Sequence, residues 1–311
     1  MKKRISLFTI AVILLIGILE LNGIDVENIS FDSIKDKFVS ETVKLKEEEI
    51  KKVDIVESEL MVYYIDVGQA DCVLIRNNNE NMLIDAGNNE DGEKLVTYIK
   101  SLGIKDFKYV VGTHPHEDHI GGLDNIIEEF SIEEILLPNA YTTTKTFEDI
   151  LTSIEDKNMN FTVPEIDSDL TLGEAKIKVL YTGDNPSDLN DASIVLRLDF
   201  GSNSFLFTGD ATEKVEKQIL NKDLKVDVYK VAHHGSSYSN SDAFLEKVKP
   251  TYGIISCGKD NSYGHPHKEV LESLNKRKVK LYRTDELGTV LVVSDGTDIE
   301  ISNFKTDTNG D

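Results

Sequence analysis

The chain of 311 residues carries 56 Asp and Glu against 34 Lys and Arg, a formal net charge of -22 at pH 7. Its length admits one large or two ordinary domains, and 40% hydrophobic residues are ample for a core. Acidity spread along the chain, with no cluster of four or more Lys and Arg, argues against tight gripping of nucleic acid, yet leaves phosphodiester substrates open because metal ions can supply positive charge.

From the N-terminus, Met1-Lys2-Lys3-Arg4 is basic and residues 5–19 carry no charge. These are the n-region and h-region of an export signal. The uncharged stretch is shorter than the roughly 20 residues of a membrane span, but Ile24 and a Glu20 reaching the interface extend it. No small-x-small cleavage site follows, since the next residues are Glu20-Leu21-Asn22-Gly23. The reading is a signal-anchor over residues 1–23, with the remainder on the extracytoplasmic face of the cell membrane, or secreted if the segment is cleaved. Residues 24–57, typified by Lys44-Leu45-Lys46-Glu47-Glu48-Glu49, form a charged spacer whose Glu/Lys pairs suit partial helix.

The texture changes at Leu60, and a domain over residues 58–304 is expected. Apolar, β-branched runs predict strands at 61–66, 72–76 and 82–85, with a turn at 77–81. A helix opens at 88–91, repeats through Leu95, Ile99 and Leu102, and leads to a strand at 107–112. Strands at 135–137 and 177–180 follow, with a helix near 146–151 between them. The second half repeats the texture: strands 193–199 and 203–208, helix 212–220, strand 226–232, helix 241–247, strand 252–257, helix 267–276, and strands 279–283 and 289–294. Pattern alone supports α/β or α+β. Cys72 and Cys257, the only cysteines, lie in apolar strand-like runs and read as buried thiols, with a disulfide as the alternative in an exported protein. Residues 305–311 read as a disordered tail.

Chemistry concentrates in Thr113-His114-Pro115-His116-Glu117-Asp118-His119, followed by Ile120-Gly121-Gly122, where three of the 7 histidines fall. His114 and His116 alternate, so both imidazoles can reach one centre; Asp118 and His119 offer a carboxylate and an imidazole to a second centre nearby. Two adjacent metal ions activate water and clamp both oxygens of a hydrolytic displacement. The run sits between a strand (Tyr109-Val110-Val111) and a helical repeat (Leu123, Ile126, Ile127, Phe130), on a loop whose glycines allow close backbone approach.

His-x-His-x-Asp-His resembles the signature of the metallo-β-lactamase fold hydrolases. The wider match, from about Leu60 to Phe304, is similar to the subgroup containing the soluble hydrolase domain of the competence protein ComEC. It is carried by Asp66-Val67-Gly68-Gln69-Ala70-Asp71, Leu83-Ile84-Asp85-Ala86-Gly87, Ser193-Ile194-Val195-Leu196-Arg197-Leu198, Phe207-Thr208-Gly209-Asp210, His233-His234-Gly235-Ser236 and Tyr263-Gly264-His265-Pro266-His267. The resemblance implies a four-layer αββα sandwich, two mixed β-sheets face to face with helices on both outer faces and metals at one edge. It also implies two Zn2+ ions, with Mn2+ as the alternative, held by His114, His116, Asp118, His119, Asp210 and one or both of His233 and His234.

By position, Asp210 suits a helix cap as well as a metal ligand; the resemblance implies a carboxylate bridging both ions. His233 and His234 fall at the end of an expected strand, where successive side chains point to opposite faces. One of them, His234 by preference, is expected to be the ligand, and the other a hydrogen-bond partner or proton donor. His265 is expected near the metals, as a ligand or against the leaving oxygen, with Pro266 in the first helical turn and His267 exposed without a role. Asp85 is expected to orient the histidine loop rather than bind metal. Many relatives bring a third histidine to the first metal, where this chain reads Asp188-Leu189-Asn190-Asp191-Ala192. Asn190 or Asp191 is the candidate to replace it through oxygen, which admits Mn2+ beside Zn2+.

The function implied is an exported metal-dependent hydrolase. Asp118 and Asp210 would orient a metal-activated hydroxide, and His234 or His265 would assist the leaving group. The expected substrates are phosphodiesters or related esters, small or wall-linked, or DNA. The alternatives are hydrolysis of a lactam, lactone or thioester, and a non-catalytic cell-surface module.

Overall fold

Leu60, Val62 and Tyr64 face one apolar core while Met61, Tyr63 and Ile65 face another, because successive strand residues point to opposite sides. A strand buried on both faces belongs inside a layered fold. The computed structural model describes residues 59–304; the expectations for the anchor at 1–23, the spacer at 24–57 and the tail at 305–311 lie outside them.

Eight strands form the first sheet: β1 (Leu60–Tyr64), β2 (Val73–Asn77), β3 (Glu80–Ile84), β4 (Asp106–Val111), β5 (Ser131–Leu136) and β6 (Phe161–Thr162), with β14 (Thr289–Ser294) and β15 (Ile299–Phe304), in the order β15-β14-β1-β2-β3-β4-β5-β6. Seven form the second: β7 (Asp169–Leu172), β8 (Ala175–Tyr181), β9 (Val195–Phe200), β10 (Asn203–Phe207), β11 (Val228–Lys230), β12 (Tyr252–Ile255) and β13 (Lys280–Arg283), in the order β13-β12-β11-β10-β9-β8-β7. Both sheets are mixed. Strands β3 to β6 run parallel in the first and β10 to β13 in the second, and the remaining neighbours are antiparallel.

The inner faces share one core, in which Ile75, Met82 and Val111 of the first sheet join Ile177, Leu196 and Phe205 of the second. Helices Gly92–Ser101, Leu123–Glu129 and Lys145–Asp156 cover the outside of the first sheet through Leu95, Ile99, Ile126, Phe147 and Ile150. Helices Glu213–Ile219, Asp242–Val248 and Lys268–Lys276 cover the second through Val215, Phe244, Leu245 and Leu274. This is the four-layer αββα sandwich. Cys72 and Cys257 are buried free thiols in the two separate outer cores, so each packs as a small hydrophobe. Among the described residues, no helix is long and apolar enough to cross a membrane.

Strands β6, β7 and β15 were not expected from the pattern. All are sheet edges, where one side has no strand partner and polar residues interrupt the apolar alternation. The parallel runs place the functional segments: the carboxyl ends of β3 and β4 lead into Asp85 and the histidine loop, and those of β10 and β11 into Asp210 and the paired histidines. The loop glycines are required sterically. A Cβ on Gly121 would lie 2.2 Å from the Asn88 carbonyl carbon, and one on Gly122 would lie 2.6 Å from the Ala86 oxygen.

Candidate metal centre

Asp85 organises the histidine loop. Its Oδ1 accepts from Thr113 N at 2.7 Å, and its Oδ2 accepts from Thr113 Oγ1 at 2.8 Å and faces His119 Nδ1 at 2.8 Å. Asp85 has φ of 61°, so the chain turns sharply at the strand end and aims the carboxylate across to the neighbouring loop.

These contacts determine which ring nitrogens are free. His119 donates through Nδ1 to Asp85, so that in the neutral ring Nε2 carries the lone pair. His234 donates through Nδ1 to the Ser256 carbonyl at 3.0 Å, which likewise frees Nε2. Thr113 Oγ1 already donates to Asp85, so it accepts from His114 Nδ1 at 3.1 Å, and His114 Nε2 carries a lone pair. That nitrogen stands 3.0 Å from His116 Nδ1. Imidazoles fixed by hydrogen bonds on the far nitrogen are the arrangement seen in metal sites.

The second group is tighter. His119 Nε2 lies 3.2 Å from Asp210 Oδ1 and 4.0 Å from Asp118 Oδ2. His234 Nε2 lies 3.3 Å from Asp118 Oδ2 and 3.6 Å from Asp210 Oδ2. Asp118, His119, Asp210 and His234 can each offer one atom to a common ion. His119 Nε2, His234 Nε2 and Asp210 Oδ1 are buried without a hydrogen-bond partner despite this crowding. Buried polar atoms left unpaired are costly, and a divalent cation would satisfy all of them. The donor set of imidazoles and carboxylates fits Zn2+ and also Mn2+.

The electrostatics agree. Burial disfavours charge on His119, but the carboxylates of Asp210, Asp85 and Asp118 outweigh it and hold its pKa well above the usual range. Burial likewise opposes charge on His234, yet Asp210, Asp71 and Asp118 raise its pKa to about 10. Asp118 would be raised by burial, but His119 and His234 bring it down to about 2. His114 goes the other way: burial, reinforced by the charged His119, holds it well below the histidine range. Protons on His119 and His234 thus occupy the electrostatic place of a cation, and metal binding would release them.

His233 and His234 do not end a strand. Strand β11 stops at Lys230, and both histidines have φ of 52° in a left-handed turn. The alternation rule therefore does not apply, and both rings approach one carboxylate, His233 Nε2 being 3.4 Å from Asp210 Oδ2. Asp191 does not face the first pair: its two oxygens accept from Thr212 Oγ1 at 2.5 Å and from Lys214 Nζ at 2.7 Å. Ser193 lies closer, its Oγ 3.4 Å from His114 Nδ1 while accepting from Asp210 N at 3.1 Å. Helix Lys268–Lys276 starts after Pro266, with His267 at its N-cap position. His267 is partly buried, and its Nδ1 accepts from Ser237 N at 3.0 Å, so it ties two loops together.

His265 is held beside this group by Gln69. Gln69 Oε1 accepts from Gly258 N at 3.0 Å, so its amide nitrogen faces His265 Nδ1 at 3.3 Å as the donor. His265 Nδ1 is then the acceptor, and Nε2 carries the hydrogen. Burial and the neighbouring imidazoles of His234 and His233 push its pKa down to about 4, so the ring is neutral at pH 7. Two further residues belong to the site and were not singled out in the sequence as site residues. Asp71 Oδ1 lies 3.4 Å from His234 Nδ1, and its Oδ2 accepts from Lys230 Nζ at 2.7 Å. A lysine in an apolar strand reads as a solvent-facing residue, and nothing local announces its partner 159 positions away.

Comparison with known proteins agrees with this geometry. The profile described as Metallo-beta-lactamase superfamily matches residues 65–259. ComE operon protein 3 of Bacillus subtilis is 29% identical over 254 residues, covering 75% of this chain and 33% of that protein. Recombination protein 2 of Haemophilus influenzae is 30% identical over 237 residues, covering 73% and 28%. Competence protein ComA of Neisseria gonorrhoeae is 28% identical over 240 residues, covering 75% and 32%. The chain thus spans about a third of the length of these curated relatives. Among solved structures, CmlA, a diiron beta-hydroxylase from Streptomyces venezuelae, aligns with TM-score 0.52 at 14% identity, covering 79% of this chain and 54% of that one. The metallo-beta-lactamase fold protein YhfI from Bacillus subtilis aligns with TM-score 0.51 at 13% identity, covering 78% and 100%. At these identities the structural matches establish the fold alone.

Proposed function

We propose that this chain, which belongs to the metallo-beta-lactamase superfamily, is a metal-dependent hydrolase acting on phosphodiesters. The observation that carries the reading is the pair of donor groups at one sheet edge, with His119 Nε2, His234 Nε2 and Asp210 Oδ1 buried and unpartnered. His114 and His116 would hold one ion, Asp118, His119 and His234 the other, and Asp210 would serve both, with His233 beside it. When bound, such ions polarise the ester and make water a nucleophile near neutral pH, so no Ser or Cys nucleophile is needed.

The chain's own residues then have defined tasks. Asp85 and the Ser256 carbonyl fix the ring orientations of His119 and His234. Asp118, the more exposed carboxylate, and Asp210 accept hydrogens from the attacking water and set its direction. His265 presents Nε2–H as a neutral hydrogen-bond donor to the leaving oxygen, since its Nδ1 is engaged by Gln69. The segment 188–192 brings no third histidine to the first pair, and a donor set with fewer imidazoles admits Mn2+ beside Zn2+. The words competence and recombination in the relatives' names point to DNA, whereas the net charge of -22 disfavours long polyanions, so a short phosphodiester is the preferred substrate.

The test is hydrolysis of bis-p-nitrophenyl phosphate, plasmid DNA and nitrocefin side by side with Mn2+ and Zn2+. Phosphodiester cleavage exceeding nitrocefin cleavage is expected. Nitrocefin turnover with both phosphodiesters untouched would overturn the reading in favour of a lactam hydrolase.

The same proposal places the domain of residues 58–304 outside the cytoplasm, tethered through residues 1–23. Full-length protein is expected in the membrane fraction of cells and to be digested by protease added from outside. Recovery in the cytosolic fraction would contradict it.

A further inference from the structure

The turn that carries His233 and His234 is gripped by one side chain from a loop further along the chain. Asn240 Nδ2 donates to the carbonyl of Ala232 at 3.0 Å and to that of Ser236 at 3.2 Å, just before and just after the histidine pair. Its Oδ1 accepts from the Tyr229 hydroxyl at 2.9 Å, and that hydroxyl accepts from Ala232 N at 3.0 Å. The main chain of this loop is fixed in turn: Asn240 N and Ser241 N donate to the two oxygens of Glu216, at 2.5 and 3.0 Å. Glu216 projects from helix Glu213–Ile219, while Tyr229 belongs to β11 and packs edge-on against Phe244. Tyr229, Asn240 and Glu216 are all buried, and each hydrogen-bonding atom of their side chains has a partner.

This network stands where the backbone is least comfortable. His233 and His234 both have φ of 52°, and successive non-glycine residues in the left-handed region persist only where their surroundings over-determine them. Within the turn, His233 N donates to the Gly209 carbonyl at 3.1 Å and Ser236 N to the His233 carbonyl at 2.7 Å. Asn240 adds a bridge between the two flanks. A fully satisfied polar network in an apolar core specifies one arrangement, because any other leaves buried polar atoms unpaired. With its flanks released, the chain could return to an extended form, in which successive side chains diverge. His233 and His234 could not then both face Asp210, as they do at 3.4 and 3.6 Å.

We propose that Asn240 is a positioning residue of the metal centre, acting through the left-handed turn it clamps, with Tyr229 and Glu216 as the fixtures that hold it. It acts on the backbone around the two imidazoles rather than on a ring or a substrate. This rests on the metal-dependent reading above and adds to it what sets the affinity of the second donor group.

The full chain, stripped of metal with EDTA, is titrated with Co2+, whose visible absorption reports the imidazoles that bind it. Asn240→Gly removes the amide while leaving the positive φ of that position, 66°, accessible. Tyr229→Phe removes the hydroxyl alone. Ile99→Ala, in the opposite outer core, is the control for a general loss of packing. Thermal unfolding of the metal-free proteins is recorded beside the titrations. Asn240→Gly is expected to weaken Co2+ binding by roughly 10–100-fold, the loss usual for an outer partner of a metal ligand, and to reduce the absorption at saturation. Tyr229→Phe should act in the same direction by a smaller factor, because the amide keeps both of its donors. Ile99→Ala should lower the unfolding temperature and leave binding at the wild-type level. Wild-type affinity in folded Asn240→Gly, or equal weakening by Ile99→Ala, would overturn the inference and leave the metal-dependent reading standing. If Asn240→Gly does not fold, Tyr229→Phe decides by the same criterion. A wild-type chain that binds no Co2+ would overturn the metal-dependent reading and the inference with it.

Discussion

Asp210→Ala is expected to lower turnover by at least about a thousandfold. Loss of a residue that merely supports a metal ligand costs roughly 10–100-fold in affinity or activity, and Asp210 faces the site directly. Its Oδ1 is 3.2 Å from His119 Nε2, and its Oδ2 is 3.4 Å from His233 Nε2 and 3.6 Å from His234 Nε2, so three imidazoles converge on it. Burial alone would raise its pKa, but His119, His234 and His233 together hold it well below the carboxylate range. The variant would lose the carboxylate on which these imidazoles converge, and metal content should fall. Asp210 is only 2% exposed, so its removal also disturbs packing. Asp118→Ala provides the control, because that side chain is 32% exposed and can be removed with less effect on the core. Circular dichroism, metal analysis and turnover would be measured on both. Wild-type turnover in a folded Asp118→Ala or Asp210→Ala protein would rule out the two-metal mechanism.

Lys230→Met is expected to cost about 3–5 kcal/mol of stability, the range for breaking a buried ion pair by removing one partner. The side chains of Lys230 and Asp71 are 2% and 4% exposed, and the contact is 2.7 Å. The pair joins the second sheet to the segment entering β2 of the first. Burial would raise the pKa of Asp71, yet Lys230 and then His234 draw it well below the usual value, so the carboxylate depends on this ammonium. Methionine keeps the length of the stem and leaves the charge of Asp71 uncompensated. The double variant Lys230→Met/Asp71→Asn should recover most of the loss, because both charges are then gone and no isolated ion is buried. Urea denaturation of EDTA-treated proteins measures both values, with metal binding removed from the comparison. A loss below about 1 kcal/mol for the single variant would place the pair among ordinary surface contacts.

The sequence by itself determined the class of fold and the centre of its chemistry. Strands such as β1 are apolar on both faces, and the helices between them repeat at helical spacing, so layers with helices outside follow from periodicity once the family motifs fix the topology. The histidine loop was equally legible, since its candidate ligands lie within six positions and their spacing is a local property. Asp85 and Asp210 were visible for a related reason, as polar residues interrupting the end of an apolar strand. The edge strands β6, β7 and β15 were not, because polar residues interrupt their apolar alternation; the edge strand β13 was legible at 279–283.

The tertiary structure alone decided what depends on distant partners. The left-handed turn at His233 and His234 brings both rings to Asp210, against the alternation expected of a strand. Asp191 is consumed by Thr212 and Lys214, and Ser193 takes the place behind His114. The free nitrogens of His114, His119 and His234 are set by Thr113, Asp85 and Ser256, and the hydrogen on His265 by Gln69. The Lys230–Asp71 pair has no local signature at all. Charge and hydrogen-bond pairing in a buried site depend on separation in space, and a sequence records only separation along the chain.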